Sequence, residues 1–180
     1  MNFHPTRLQT MTLVALATVS IAIPSVTAAN GATWATWAQN SQSKYLGGVK
    51  VVTILPKVSA HAGVAPVISK PVGAAPKVLI SKDIIVGKGK SALTTSTVKA
   101  QYVVMSWKTG VVYQTSWTSQ PFEAPLSNLI LGWQKGIPGM KVGGRRLFVI
   151  PPALAYGSQG AGNIPANETL VFVVDLLGVK

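Results

Sequence analysis

The stretch LILGWQKGIPGMKVGGRRLFVIPPALAYG, from Leu129 to Gly157, passes from helix to strand to loop and decides how the rest of the chain is read. Ile130, Trp133 and Ile137 stand at i, i+3 and i+7, one face of a short helix. Ser127 or Asn128 just ahead can cap it by accepting from its free first amides, and Gly136 with Pro138 ends it. RRLFVI, Arg145 to Ile150, then reads as a strand. The loop that follows is rich in Gly, Pro, Asn and Ser, opens with Tyr156, and runs to a second strand, TLVFVVDLL (Thr169–Leu177).

Working outward, VKAQYVVM alternates strictly, with Val98, Ala100, Tyr102 and Val104 on one face of a strand. The WKTG turn, Trp107 to Gly110, leads into VVYQTSW and so predicts a hairpin. KVLISKDIIVG, from Lys77, is an apolar, β-branched stretch. Strands in series with one short helix predict an α+β domain over residues 74–180, a twisted antiparallel sheet with the helix laid across it.

Residues 30–73 carry no persistent period, and prolines at 56, 66 and 71 interrupt any regular element. They are expected to be a linker or poorly ordered basic arm, with KVVTIL (Lys50–Leu55) as one possible strand. Residues 1–29 have the layout of a signal peptide. Arg7 precedes an apolar run from Met11 to Ile23, and small residues follow, with cleavage expected after Ala28 or Ala29. Export of the mature chain follows, an uncleaved anchor being the alternative.

The chain carries a formal net charge of +12 and no cysteine. Its lysines are scattered singly from Lys44 to Lys99, with Asp83 the only acid among them. They are neither clustered on a helix nor interleaved with aromatics, which argues against nucleic acid as partner. A cationic surface that stays soluble or adheres weakly to an anionic cell envelope is the expectation. His61, Asp83 and a serine could compose a hydrolase triad only without any nucleophile motif. Asp83, Glu123, Glu168 and Asp175 are too scattered, with one mature histidine, for an ordinary metal site.

With these elements placed, the chain resembles the FKBP-type peptidyl-prolyl cis-trans isomerases. The residues that carry the likeness are LILGWQKGIPGMKVGGRRLFVIPPALAYG and then NIPANETLVFVVDLL (Asn163–Leu177), within a similarity spanning about Lys77 to Lys180. The resemblance implies a five- to six-stranded antiparallel sheet wrapped over one helix. It implies an apolar pocket floored by Trp133 and walled by Tyr102, Tyr113, Phe122 and Phe172. Leu129 and Ile130 match the helix opening, where the Ile130 amide would hold a substrate carbonyl. Tyr156 matches the loop tyrosine that donates to a bound ligand, and Ile164 would close the loop over the proline ring.

One position departs: the family's hairpin usually carries Phe-Asp where this chain has Tyr113-Gln114, so a pocket carboxylate is replaced by an amide. The activity implied is isomerisation of Xaa-Pro bonds in exported polypeptides by a monomer that needs no cofactor and binds macrolides such as tacrolimus and rapamycin. The other reading is a chaperone module that grips proline segments with little turnover, its site weakened at Gln114. Rotation about an amide needs no acid or base, so a segment without catalytic carboxylates or histidines can still belong to an enzyme.

Overall fold

The computed structural model describes residues 44–46 and 49–180, so the expected leader and its cleavage site lie outside the described residues. In chain order the strands are β1 (Lys44–Leu46), β2 (Val49–Val51), β3 (Ile80–Ile85), β4 (Thr97–Ser106), β5 (Val112–Thr115), β6 (Phe122–Pro125), β7 (Arg145–Ile150) and β8 (Leu170–Val179). The helix α1 spans Leu131–Gly136, and 3-10 turns cover Leu126–Asn128 and Pro152–Leu154.

β1 and β2 pair only with each other. The other six strands form one antiparallel sheet in the order β3-β7-β8-β4-β5, with β6 sharing the β4 edge beside β5. β8 therefore runs between β7 and β4, with Phe172 opposite both Phe148 and Val104. The α+β architecture expected from the sequence is the one observed. β6 was not anticipated, because Pro121 just ahead of it and Pro125 at its end break any strand pattern. It forms all the same, since an edge strand can spare the missing donors.

Alternation splits the core into two faces. One face, with Val98, Val104, Phe148, Phe172 and Val174, packs against Trp133 of α1 and Ile137 just after it. Helix and sheet meet closely because α1 is bare on that side. A Cβ on Gly132 would stand 2.5 Å from the Ile150 side chain, and one on Gly136 would stand 2.6 Å from the Phe148 ring. The expected Ser127 or Asn128 cap is not made. The cap position is Ile130, with no side-chain hydrogen bond, because Leu126–Asn128 is spent on a 3-10 turn that carries the chain off β6.

The opposite face, with Met105, Leu147, Val149, Val171 and Val173, is covered by the arm, through Leu55, Val58 and Ile68. The described part of the stretch expected to be a linker or poorly ordered is thus a layer of the fold. Its two limbs meet at bridges Ile54↔Val72 and Val58↔Ile68, and Pro56, Pro66 and Pro71 keep the pairing from extending into a regular ladder. Serine side chains fill the gaps: Ser59 and Ser69 Oγ accept from Val67 and Lys57 amides.

The arm also completes a buried ion pair. Arg145 is fully buried, and its guanidinium donates to both carboxylate oxygens of Asp175 at 2.6 and 2.8 Å. Two of its remaining donors reach the carbonyls of Ser59 at 2.9 Å and Val64 at 2.6 Å, both on the arm. The Trp117 ring lies 5.9 Å from the guanidinium carbon. Such a pair is tolerated because four of the five guanidinium N–H groups are used; removing one partner leaves a buried charge unpaired.

Arg145→Met is therefore expected to destabilise the chain by about 3–5 kcal/mol in urea unfolding. A loss below about 1 kcal/mol would show that the pair is dispensable. Gly136→Ala, which must push the helix off Phe148, is expected to cost about 1–3 kcal/mol in the same measurement.

Candidate active site

Where the C-terminal half of β4 diverges from α1, the sheet and helix leave a cavity of about 390 Å³. β4 supplies Tyr102 and Val104, which face the same side because they are two apart. β8 supplies Phe172, β6 supplies Phe122, and α1 supplies Trp133 as the floor. Asn128, Leu129 and Ile130 close the side where the helix opens, and Tyr156 and Ile164 come from the loop between β7 and β8.

The aromatic walls fix one another's orientation. Trp133 meets Tyr102 edge-on at 5.7 Å, Phe172 at 5.6 Å and Phe122 at 6.1 Å between ring centroids. Tyr102 meets Phe122 in the same way at 5.9 Å. Edge-to-face pairs at these separations are favourable by about 0.5–1.5 kcal/mol each beyond burial.

Of the residues singled out from the sequence, all but Tyr113 line this cavity. Tyr113 is half-buried against the edge of the same core cluster, not a wall. The reason lies in the ladder: Val104 pairs with Gln114 and Met105 with Val112, so Tyr113 is a bulge residue without a partner on β4. Its carbonyl accepts from Asn163 Nδ2 at 3.2 Å, which ties the β7–β8 loop to the hairpin. Gln114 is exposed and sits at the rim.

Sequence reasoning missed Val104 and Asn128 as lining residues. The alternation of β4 already put Val104 beside Tyr102, so that signal was available. Asn128 was read as a cap; in the 3-10 turn its Oδ1 instead accepts from the Ser127 hydroxyl at 3.3 Å, and the residue lines the cavity.

The polar equipment is sparse. No described residue accepts from the Ile130 amide, and none pairs with the Tyr156 hydroxyl. Asp, Glu, His, Lys and Arg do not occur among the lining residues, leaving the two tyrosines as the titratable groups there. Burial pushes the Tyr102 phenol above its ordinary 10.0, and the neighbouring Tyr156 adds to the rise.

The family of FKBP-type peptidyl-prolyl cis-trans isomerases matches residues 88–177, the span that builds this cavity. The chain belongs to that family. Its relatives include a probable FK506-binding protein of Corynebacterium glutamicum, 49% identical over 113 residues that make up 62% of this chain and 96% of that protein. An FK506-binding protein of Streptomyces anulatus is 43% identical over 119 residues, 63% of this chain and 96% of that one. Among solved structures, AtFKBP13 is similar with a TM-score of 0.54 at 33% identity, covering 59% of this chain and 96% of the other. FkpA of Escherichia coli gives 0.54 at 39% identity over 57% of this chain and 48% of its own. These likenesses bear out the antiparallel sheet and single helix of an FKBP-type isomerase.

A raised phenol pKa means that the neutral form of Tyr102 is favoured in the folded chain. This contribution is fully present below the unfolded value of 10.0 and is lost as pH rises through the folded value. An FKBP-type site of this composition is expected to give kcat/KM for a short Leu-Pro peptide that is flat from about pH 5 to 9. A bell-shaped profile inside that window would reveal an acid or base that the cavity does not contain.

Proposed function

We propose that the chain accelerates Xaa-Pro isomerisation in the folding of exported polypeptides, using the cavity without covalent or acid–base chemistry. The observation that carries this reading is the lining itself: a closed set of edge-on aromatics with no carboxylate, imidazole or amine. The unassisted reaction must cross a barrier of about 18–20 kcal/mol, because rotation breaks amide resonance. A planar amide carries the large resonance dipole, and water solvates it well. A twisted amide has lost much of that dipole and suffers less from entering an apolar box, so the cavity favours the transition state over the ground state.

Orientation would come from the two unsatisfied donors. The Ile130 amide suits the carbonyl on one side of the proline, and the Tyr156 hydroxyl suits a second carbonyl of the substrate backbone. Trp133 would lie under the pyrrolidine ring, and Ile164 would cover it from the loop. The same apolar box with two donors suits macrolides such as tacrolimus, in keeping with the names of the relatives. The leader-like reading of residues 1–29 supports export as the setting.

A second reading is favoured by Gln114, which is exposed at the rim and whose side chain has no hydrogen bond to any described residue. In that reading the chain grips proline segments as a chaperone and turns them over slowly, for want of the family's usual carboxylate.

One assay separates the two. Wild type is expected to isomerise a Leu-Pro peptide rapidly and to be inhibited by tacrolimus, with Gln114→Asp changing the rate only a few-fold. A silent wild type that Gln114→Asp restores would establish the binding module, and silence in both would exclude an isomerase. Tyr156→Phe is expected to lower kcat/KM by about three- to tenfold, the worth of one hydrogen bond of about 0.5–1.5 kcal/mol, with the fold unchanged by circular dichroism.

A further inference from the structure

Two clefts outside the aromatic cavity share a wall. One, of about 670 Å³, lies between the end of the arm at Lys70–Ala75, the turn at Trp107-Lys108 and residues 167–169. The other, of about 580 Å³, lies between Ala75–Lys77 and the segment from Pro151 to Ser158. Ala75, Asn167 and Thr169 line both, so they form one continuous groove. Its far end is bounded by Gly157 and Ser158, which directly follow the cavity's Tyr156. The Asn167 amide donates to the Gly157 carbonyl at 2.8 Å, which fixes that boundary. One loop thus has Tyr156 in the cavity and its next two residues in the groove.

The groove has a built wall and a one-sided charge. Trp107 is buried, its indole Nε1 donating to the Gly73 carbonyl at 3.2 Å, so the arm is tied down where it forms the cleft. Lys70, Lys77 and Lys108 are exposed around the groove and take part in no ion pair among the described residues. The one carboxylate, Glu168, is half-buried and accepts from the Ser106 hydroxyl at 2.7 Å.

The geometry points to a second subsite of the isomerase, in which the groove takes an extended, acidic segment of the polypeptide whose proline occupies the cavity. This rests on the isomerase reading for what the cavity holds, and adds what lies beside it. A chain that engages both places gains from the high effective concentration of its second segment, without any stronger contact at the proline. Acidic segments are selected by the three lysines, and a basic segment is repelled. The groove thereby distinguishes long clients from short peptides, which reach only the cavity.

The test uses the full chain and a fluorescein-labelled twelve-residue peptide of Glu, Asp and Ser without proline, read by anisotropy. Wild type is expected to bind it, and Lys70→Glu/Lys108→Glu is expected to weaken binding by about tenfold or more. Ala75→Trp, which fills the groove without changing charge, is expected to do the same. Lys88→Glu/Lys90→Glu makes the same charge change elsewhere and is expected to leave affinity within about twofold. Turnover of a free Leu-Pro peptide stays unchanged in all three variants, while a long substrate joining Leu-Pro to the acidic segment loses kcat/KM in the first two. Failure of the acidic peptide to bind overturns the proposal, as does equal weakening by the Lys88/Lys90 pair, which would mean general surface charge. If the acidic peptide binds as described but Leu-Pro is never turned over, the groove stands and the isomerase reading falls.

Discussion

The whole site depends on how closely a six-residue helix can lie on the sheet. A helix this short has no stability of its own, since nucleation costs more than so few hydrogen bonds return. It exists because Gly132 and Gly136 let its backbone settle against Ile150 and Phe148, which brings Trp133 under Tyr102 and Phe172. Any Cβ at either glycine would lift the floor of the cavity away from its walls. The aromatic box is therefore less a set of side chains than a consequence of one close approach, with the rings arranged by what that approach leaves open.

The second half of the structure answers a different problem. A sheet with a helix on one face still has the other face to cover, and β7 and β8 present Leu147, Val149, Val171 and Val173 there. The arm covers them with few regular hydrogen bonds, using Leu55, Val58 and Ile68 for contact and serines for the broken ladder. Arg145 and Asp175 sit at the edge of that layer, and two arm carbonyls add to the guanidinium's hydrogen bonding. Charge, burial and chain path agree at that point, which is why the arm follows one course over the sheet.

Much of this was legible before any coordinates. β4, β7 and β8 announce themselves by alternation or by β-branched runs, and the helix by Ile130, Trp133 and Ile137. The cavity was legible because its residues fall on motifs that occur in order, so that position along the chain stood in for position in space. What failed to show had a common cause. β6 and the arm are both rich in proline, and both are held by partners distant in the chain rather than by their own propensity. The bulge at Tyr113 did not show either, since no local pattern marks a bulge whose extra residue is aromatic.

β8 lies between β7 and β4, and both of those strands precede it in the chain. Until residues 170–179 have been made, β4 and β7 have no common neighbour, and the wall that Phe172 supplies cannot form. Assembly must wait for contacts of long sequence separation, which form slowly. A nascent chain of this kind remains open for most of its synthesis. How late the apolar pocket can close is set by the position of a single strand.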